Sequence, residues 1–156
     1  RENFEYDKYG RIVTHKFSRS GKNYNYEYQY DSETGLLNKE IIPSTFAEVV
    51  TNRIYKDGTL IEVKNKDGDI YWQLKETDHL KQITSFELGN GIQNNVVFEY
   101  NSNNLTNLKY TTADITLLNY SYDYDFLDNV VYKKDEINKL EENFSYDVKD
   151  RLIKSQ

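Results

Sequence analysis

The stretch of sequence that decides the fold runs from Leu117 to Asp125 and reads LLNYSYDYD. Leucine or tyrosine occupies positions 118, 120, 122 and 124, and a polar residue occupies each position between them. A period of two with one polar face is typical of an antiparallel β-strand. In an α-helix the same tyrosines would be distributed around the axis. Positions 24 to 30 repeat the pattern with four tyrosines, so the sequence predicts tyrosine-rich strands.

Each predicted strand ends at a turn signal. In Asp7-Lys8-Tyr9-Gly10, Asp7 opens a type I turn by accepting backbone N–H bonds, and Gly10 takes the left-handed conformation that forms a bulge. Later units place Asn104, Asp128 or Asp150 at the position of Gly10, and Asn and Asp tolerate positive φ better than other residues do. Asp57-Gly58 and Asp67-Gly68 are separate signals for two-residue hairpins.

The strand-and-turn unit repeats along the whole chain. Its anchors lie at positions 6, 30, 55, 77, 100, 124 and 146, between 22 and 25 residues apart. The fourth unit, at Thr77-Asp78, lacks the tyrosine. We predict that the following motif residues are structural: Tyr6, Asp7, Gly10, Arg11, Tyr30, Asp31, Gly35, Tyr55, Asp57, Gly58, Tyr100, Asn104, Tyr124, Asp125, Tyr146, Asp147 and Arg151.

These repeats predict an all-β chain of antiparallel hairpins that forms one segment over residues 1–156. The stretch from Ile41 to Val50 holds the only proline and is predicted to be an irregular insertion. Positions 135 to 142 are predicted to form either a short helical turn or a long hairpin loop. We find no linker that would divide two domains.

Composition excludes several classes of function. The net charge is −6 and basic residues are scattered among acidic ones, which argues against binding a nucleic-acid backbone. The chain has no cysteine, so disulfides and thiolate metal sites are excluded. No apolar run approaches the ~18 residues of a membrane-spanning helix. Because no signal peptide opens the chain and Arg1 is not a natural start, we expect the sequence to be excised from a longer protein.

The repeats resemble those of the Rhs/YD-repeat family of large bacterial secreted and surface proteins. That family also includes the shell components of insecticidal toxin complexes and, more distantly, the teneurins. Leu88-Gly89-Asn90-Gly91 is similar to the family's lead-in to a Tyr-x-Tyr-Asp strand, and 117–125 and 142–152 are similar to further repeats. The resemblance covers nearly the whole chain and is weakest between Ile41 and Leu80.

The resemblance implies a strongly curved or spiralling β-strip that forms part of a hollow shell around a toxin or effector. It implies as partners the remainder of the same protein or an enclosed toxin polypeptide, and a secreted or cell-surface location. The family's Pro- and Gly-rich core motif with its aspartate-dependent self-cleavage site has no counterpart in this sequence, so no autoproteolytic residue is carried over.

Catalytic and metal-binding patterns are not found in the sequence. His15 and His79, the only histidines, lie 64 residues apart and are expected to be separate strand or surface residues rather than ligands of a shared metal. The turn aspartates are explained by the turns, whereas a glycosidase needs two carboxyl groups that converge on one cleft. We expect no enzyme activity and no cofactor.

The tyrosine stripe leaves two interpretations open. The rings can stack across neighbouring strands as the packed face of the sheet. Alternatively, exposed rings such as Trp72 and Tyr122 bind carbohydrate or protein, and the chain is a surface binding module. The two edge strands of an isolated strip favour aggregation, so we also expect strong curling or pairing of edges with a neighbouring copy.

Overall fold

The computed structural model of the chain describes residues 2–44 and 46–156. These residues form β-strands joined by turns and loops, and they include no α-helix and therefore no helix that could cross a membrane. The strands are β1 (Glu2–Tyr6), β2 (Ile12–Arg19), β3 (Lys22–Tyr30), β4 (Leu37–Ile42), β5 (Val49–Lys56), β6 (Thr59–Lys64), β7 (Ile70–Thr77), β8 (Ile83–Leu88), β9 (Gln93–Phe98), β10 (Leu105–Thr111), β11 (Thr116–Tyr124), β12 (Val130–Asp135), β13 (Leu140–Tyr146) and β14 (Leu152–Ser155). The predicted all-β fold is confirmed.

The chain divides into two compact units, Arg1–Gln73 and Leu74–Gln156, and the division falls within β7. In the first unit each strand from β1 to β6 pairs antiparallel with the next strand in sequence. In the second unit the same holds for each strand from β8 to β13. The connections between these paired strands are therefore hairpins, as the repeat pattern predicts.

The tyrosine-rich strands have one face that is more buried than the other. In β3, Tyr24, Tyr26 and Tyr28 are half-buried, whereas Asn25 and Gln29 are exposed. The alternation arises because successive side chains of a strand point to opposite faces of the sheet. Tyrosine suits this position since its ring covers apolar area and its hydroxyl stays within reach of a polar partner.

Neither unit has a conventional hydrophobic core. No apolar side chain among the described residues is fully buried, and the buried residues there are Ser85 and Asn94. Asn94 is 1% exposed, and neither amide atom of its side chain has a hydrogen-bond partner. Backbone ladders and cross-strand side-chain pairs therefore hold each unit together as a single layer.

The predicted irregular insertion from Ile41 to Val50 is wrong at both of its ends. β4 continues to Ile42 and β5 begins at Val49, with Ile41 opposite Val50 and Ile42 opposite Val49. These β-branched residues favour strands, so they extend the ladder on both sides of the proline. The connection is reduced to positions 43–48, of which position 45 lies outside the described residues.

The segment from 135 to 142 is a hairpin and not a helical turn. Asp135 accepts backbone N–H bonds from Ile137 and Asn138, and Lys139 takes the left-handed conformation with φ 57°. β13 then begins at Leu140. Of the two predicted alternatives, the hairpin is the one observed.

Candidate functional site: the turn edge

The repeat motifs lie at one edge of each unit, which we call the turn edge. It is formed by the turns that follow β1, β3 and β5 in the first unit and β7, β9, β11 and β13 in the second. Because neighbouring antiparallel strands run in opposite directions, every second turn lies on the same side of a sheet. The spacing of the repeats therefore places the motif residues of each unit in a row.

An aspartate organises the turn in the way the sequence predicts. Asp7 Oδ1 accepts the backbone N–H of Tyr9 at 2.8 Å and that of Arg11 at 3.0 Å. The N–H of Gly10 donates to the Asp7 carbonyl at 3.1 Å, and Gly10 has φ 79°. The turns opened by Asp125 and Asp147 have the same bonds, with Asp128 and Asp150 at φ 63° and 57°.

These bonds lower the pKa of the turn aspartates. The backbone N–H and the hydroxyl of Thr34 hold the pKa of Asp31 below its usual value of 3.8. The Arg151 side chain, helped by two backbone N–H groups, does the same for the pKa of Asp147. At Asp7 burial raises the pKa, but the hydrogen bonds from Arg11 and Tyr9 outweigh that effect and the net shift is downward. Each carboxylate is thus a structural acceptor in its charged form.

Four of the motif tyrosines have a second role that sequence analysis missed. Each of these hydroxyls reaches across to the preceding strand and donates to the backbone carbonyl of the residue that begins that strand. The bonds are Tyr30 to Ile12 at 2.9 Å, Tyr55 to Leu37 at 3.0 Å, Tyr124 to Leu105 at 2.8 Å and Tyr146 to Val130 at 2.9 Å. A repeated tyrosine at the last or next-to-last position of a strand is the signal that could have indicated this bond.

Side chains also connect successive turns along the edge. The residue after the left-handed position donates to the left-handed residue of the next repeat. These bonds are Arg11 Nη1 to the Gly35 carbonyl at 2.9 Å, Asn104 Nδ2 to Asp128 Oδ1 at 2.7 Å and Asn129 Nδ2 to Asp150 Oδ1 at 3.3 Å. The Arg11 guanidinium also lies 4.3 Å from the ring centroid of Tyr30. The turn edge is therefore a hydrogen-bonded ladder within each unit.

In the fifth repeat, both the left-handed residue of the turn and the last residue of the strand before it differ from the prediction. The left-handed residue is Asn103, with φ 64°, and not Asn104. The turn opens at Glu99, whose N–H donates to the Asn104 carbonyl, so Phe98 ends the strand. Tyr100 lies inside the turn, is 77% exposed, and stacks on His79 at 4.8 Å. A turn one residue longer, like that of Asp31, accounts for the difference.

The two Asp-Gly pairs that predict two-residue hairpins, at positions 57–58 and 67–68, form different turns. Asp57 and Gly58 both have positive φ and form the predicted two-residue turn. Asp67-Gly68 does not form one, because Asn65 opens a longer turn there: Asn65 Oδ1 accepts the backbone N–H groups of Asp67 and Asp69. Asn65 thus replaces the aspartate of the motif with an uncharged acceptor.

The two aromatics predicted to face a ligand lie in different units, and each occupies a strand. Trp72 is half-buried opposite Val63 in the first unit, and Tyr122 is half-buried opposite Lys133 in the second. Rings gather instead in an aromatic cluster on β1, β2 and β3, made of Phe4, His15, Phe17, Tyr24 and Tyr26. Sequence analysis missed this cluster because it depends on the register between strands.

Each of the two histidines stacks on an aromatic ring. His15 stacks on Phe4 with centroids 4.3 Å apart, and its Nε2 is buried without a hydrogen-bond partner. His79 lies in the turn after β7. Within residues 2–44 and 46–156 no group of three His, Asp or Glu side chains is arranged to hold a metal ion.

The fold is similar to parts of much longer toxin-complex chains of known structure. Chains of the TcdB2-TccC3-Cdc42 and TcdB2-TccC3 structures superimpose with a TM-score of 0.79 at 15% identity over 96% of this chain. A chain of the Photorhabdus luminescens Tc holotoxin pore superimposes with a TM-score of 0.52 at 12% identity over 99% of it. No family model matches the sequence, and no curated protein is significantly similar to it.

The similarity confirms, at the level of the fold, the expected resemblance to the shell components of insecticidal toxin complexes. This chain spans 9% of the TcdB2-TccC3 chains and 11% of the holotoxin chain.

Proposed function

We propose that this chain is a non-catalytic wall segment of an Rhs/YD-repeat shell that encloses or presents a toxin or effector polypeptide. The observation that carries the proposal is the combination of a single-layer sheet, in which no described apolar side chain is buried, and a turn edge in which side chains join three pairs of successive repeats. A layer of this kind separates two spaces, and connections at equivalent positions of successive repeats allow it to extend in one direction.

The chemistry of the turn edge supports a structural role. Its carboxylates are occupied by backbone N–H groups of their own turns, and its tyrosine hydroxyls donate to backbone carbonyls. A general acid or base needs a free site within hydrogen-bond reach of a substrate. The repeat instead spaces its polar groups along the sheet, which favours the proposal that the segment has no enzyme activity.

The partners follow from this role. We propose that the segment contacts the remainder of the same Rhs-type protein and an enclosed toxin polypeptide, and that the assembly is secreted by a bacterium. The similarity to the TcdB2-TccC3 chains supports this proposal.

The test is protease protection in the full-length protein that carries this sequence. We expect a segment enclosed by the wall to resist a protease concentration that digests the same segment expressed alone. Replacing Tyr124 and Tyr146 by alanine removes two connections between strands and should make the enclosed segment accessible. The matched control is Tyr100→Ala, which removes an exposed turn tyrosine and should leave protection unchanged. Equal digestion in the wild-type protein and in the free segment contradicts the proposal.

A surface binding module is the second candidate function, and the aromatic cluster favours it. Phe4 is 39% exposed and forms a flat stack with His15, which is a surface that sugar rings or apolar side chains can cover. Calorimetric titration with glycans and with peptides tests this function. Saturable binding that is lost in Phe17→Ala and retained in Trp72→Ala supports it, and no binding by the wild-type chain contradicts it.

A further inference from the structure

The turns that Asp78 and Glu99 open in the second unit have the same construction as the first two turns of the first unit. Asp78 Oδ1 accepts two backbone N–H groups of its own turn at 2.8 and 2.9 Å, as Asp7 Oδ1 does at 2.8 and 3.0 Å. The turn opened by Glu99 is one residue longer and matches the turn opened by Asp31. The junction between the fourth and fifth turns can therefore be compared, position by position, with the junction between the first and second turns.

In the first of these junctions one guanidinium group joins the two turns. The Nε and Nη2 atoms of Arg11 both lie 2.7 Å from Asp7 Oδ2, and Nη1 donates to the Gly35 carbonyl at 2.9 Å. The guanidinium also lies 4.3 Å from the ring centroid of Tyr30, close enough for a cation–π contact. A carboxylate oxygen, an aromatic ring and a backbone carbonyl thus form a guanidinium site.

The corresponding position in the second unit has no cation. Gln82 follows the left-handed residue of its turn, as Arg11 follows Gly10, and Gln82 Oε1 is buried without a hydrogen-bond partner. In the part of the chain that the structure describes, Asp78 Oδ2 accepts no hydrogen bond and forms no ion pair. A carboxylate oxygen that the first unit pairs with arginine is therefore unpaired here.

A cavity of about 270 Å³ lies at this junction. Asp78 lines it and supplies the carboxylate. Phe98, which ends β9 as Tyr30 ends β3, supplies a ring. Asn103 with φ 64° corresponds to Gly35 with φ 73° and supplies the left-handed residue. Pockets for drug-sized ligands start at about 300 Å³, so this cavity suits a single side chain.

The rest of the lining favours a cation with a flat, partly apolar body. Glu99 adds a second carboxylate, of which only Oε2 accepts a hydrogen bond among the described residues, from the Ser102 hydroxyl. His79 and Tyr100 form a wall of stacked rings with centroids 4.8 Å apart, and no lysine or arginine is among the described residues that line the cavity. The planar guanidinium group meets these conditions better than a lysine ammonium group, because it stacks on rings and donates in several directions.

We propose that this cavity binds the guanidinium group of an arginine side chain that a partner polypeptide presents at the turn edge of the second unit. The group takes the place that Arg11 fills in the first unit. It donates to Asp78 Oδ2 and to the Asn103 carbonyl, and it covers the Phe98 ring. Binding to the cavity does not depend on the proposed wall role, so either proposal can fail without the other.

Titration of the full chain with a short arginine peptide, followed by nuclear magnetic resonance, tests the site. The probe is acetyl-Gly-Arg-Gly-amide, and its matched controls contain lysine or citrulline, which has the shape of arginine without the charge. We expect saturable shifts of the Leu80 and Gln82 amide signals, whose N–H groups donate to Asp78. The two control peptides should bind about tenfold more weakly or worse, because they lack the charge or the planar fork.

An Asp78→Asn chain tests the carboxylate without removing the turn. An amide oxygen accepts the same backbone bonds in the turn of Asn65, so the variant should fold and should bind the arginine peptide about tenfold more weakly. The matched control is Asp125→Asn, because Asp125 Oδ2 already accepts a hydrogen bond from Asn129 at 3.2 Å. That control should bind the peptide as the wild type does.

A Gln82→Arg chain supplies the guanidinium from within. We expect it to fill the cavity, to abolish binding of the arginine peptide and to raise the urea denaturation midpoint. This variant leaves Asp78 in place, so it decides the outcome if Asp78→Asn does not fold. No saturable shift in the wild type at millimolar peptide, or equal binding of the arginine peptide and either control peptide, overturns the proposal. Undiminished binding by Gln82→Arg overturns it as well.

Discussion

A single hydroxyl group gives the motif tyrosine its specificity. Phenylalanine would cover the same apolar area in a strand, but it has no donor for the carbonyl that begins the preceding strand. Tyr124 donates to Leu105 at 2.8 Å and Tyr146 donates to Val130 at 2.9 Å. The tyrosine therefore links two strands by a bond that is independent of the backbone ladder.

Removing one such hydroxyl should weaken a unit measurably. We expect Tyr124→Phe to lower the free energy of unfolding by about 0.5–1.5 kcal/mol, the usual net value of one hydrogen bond. Urea denaturation followed by circular dichroism measures it. Tyr100→Phe is the control, since Tyr100 lies in the fifth turn and is 77% exposed. Equal losses in both variants would contradict the role given to the hydroxyl.

Asn94 is the residue whose burial has an energetic cost. Its side-chain amide is 1% exposed and has no hydrogen-bond partner, and its neighbours across the ladder are Phe86 and Tyr110. We expect Asn94→Leu to stabilise the chain by about 1–2 kcal/mol, because a buried unpaired amide is removed at similar volume. Asn95→Leu, on the opposite and exposed face, controls for strand propensity. A chemical denaturation midpoint lowered by Asn94→Leu would show that the amide is needed.

At the scale of elements, alternation and turn chemistry predicted most of the fold. The two-residue period of β3 and β11, the aspartate at the turn and the bulge after it could all be inferred, because each depends on neighbouring residues. The tyrosine bonds and the aromatic cluster could not, since they depend on which residues face each other across strands. Phe4 and Phe17 both contact His15, yet they lie 13 positions apart in sequence.

Turn length was the least predictable local feature. Asn103 and Asn104 have the same side chain, and only the length of the turn decides which of them adopts positive φ. The predicted insertion at Ile41–Val50 was wrong for a related reason. The β-branched residues Ile42 and Val49 extend the two strands toward the proline, so only the short connection between them is irregular.

The observed turn predicts opposite effects for two adjacent asparagines. Asn103→Gly should be neutral or slightly stabilising, because glycine adopts φ 64° without strain. Asn104→Gly should destabilise by about 1 kcal/mol, since it places glycine in extended backbone and removes a side-chain hydrogen bond. Thermal or urea unfolding of the two variants measures the difference in stability. If Asn104→Gly were the more stable variant, Asn104 and not Asn103 would be the left-handed residue.

Acid should weaken the turns. The hydrogen bonds to Asp31 and Asp147 lower the pKa of both carboxyl groups in the folded chain below the usual value of 3.8. The stabilisation is therefore present above about pH 4 and is lost as the pH falls through the lowered values. Urea unfolding between pH 7 and pH 2 should show this loss.

Asn65 suggests the matched control for the acid effect, because an uncharged amide oxygen accepts the same backbone bonds in its turn. Asp31→Asn should retain the fold and show a smaller loss of stability in acid than the wild type. An unchanged acid transition in this variant would assign the effect to other groups.

At the scale of the whole molecule, the two units share one construction: hairpins in sequence order, a ladder of turns, and a single layer with no buried apolar side chain among the described residues. Such a layer gains little free energy from buried apolar side chains. Its stability depends on the hydrogen bonds that repeat between strands and between turns. The chain spans 9% of the TcdB2-TccC3 chains that share its fold.

Electron cryomicroscopy of the full-length protein that carries this sequence tests the wall assignment most directly. We predict that the described residues of this sequence form consecutive strands of a β-wall that encloses a cavity. A map that shows this sequence as an isolated domain outside any shell, with both edge strands exposed to solvent, would contradict it.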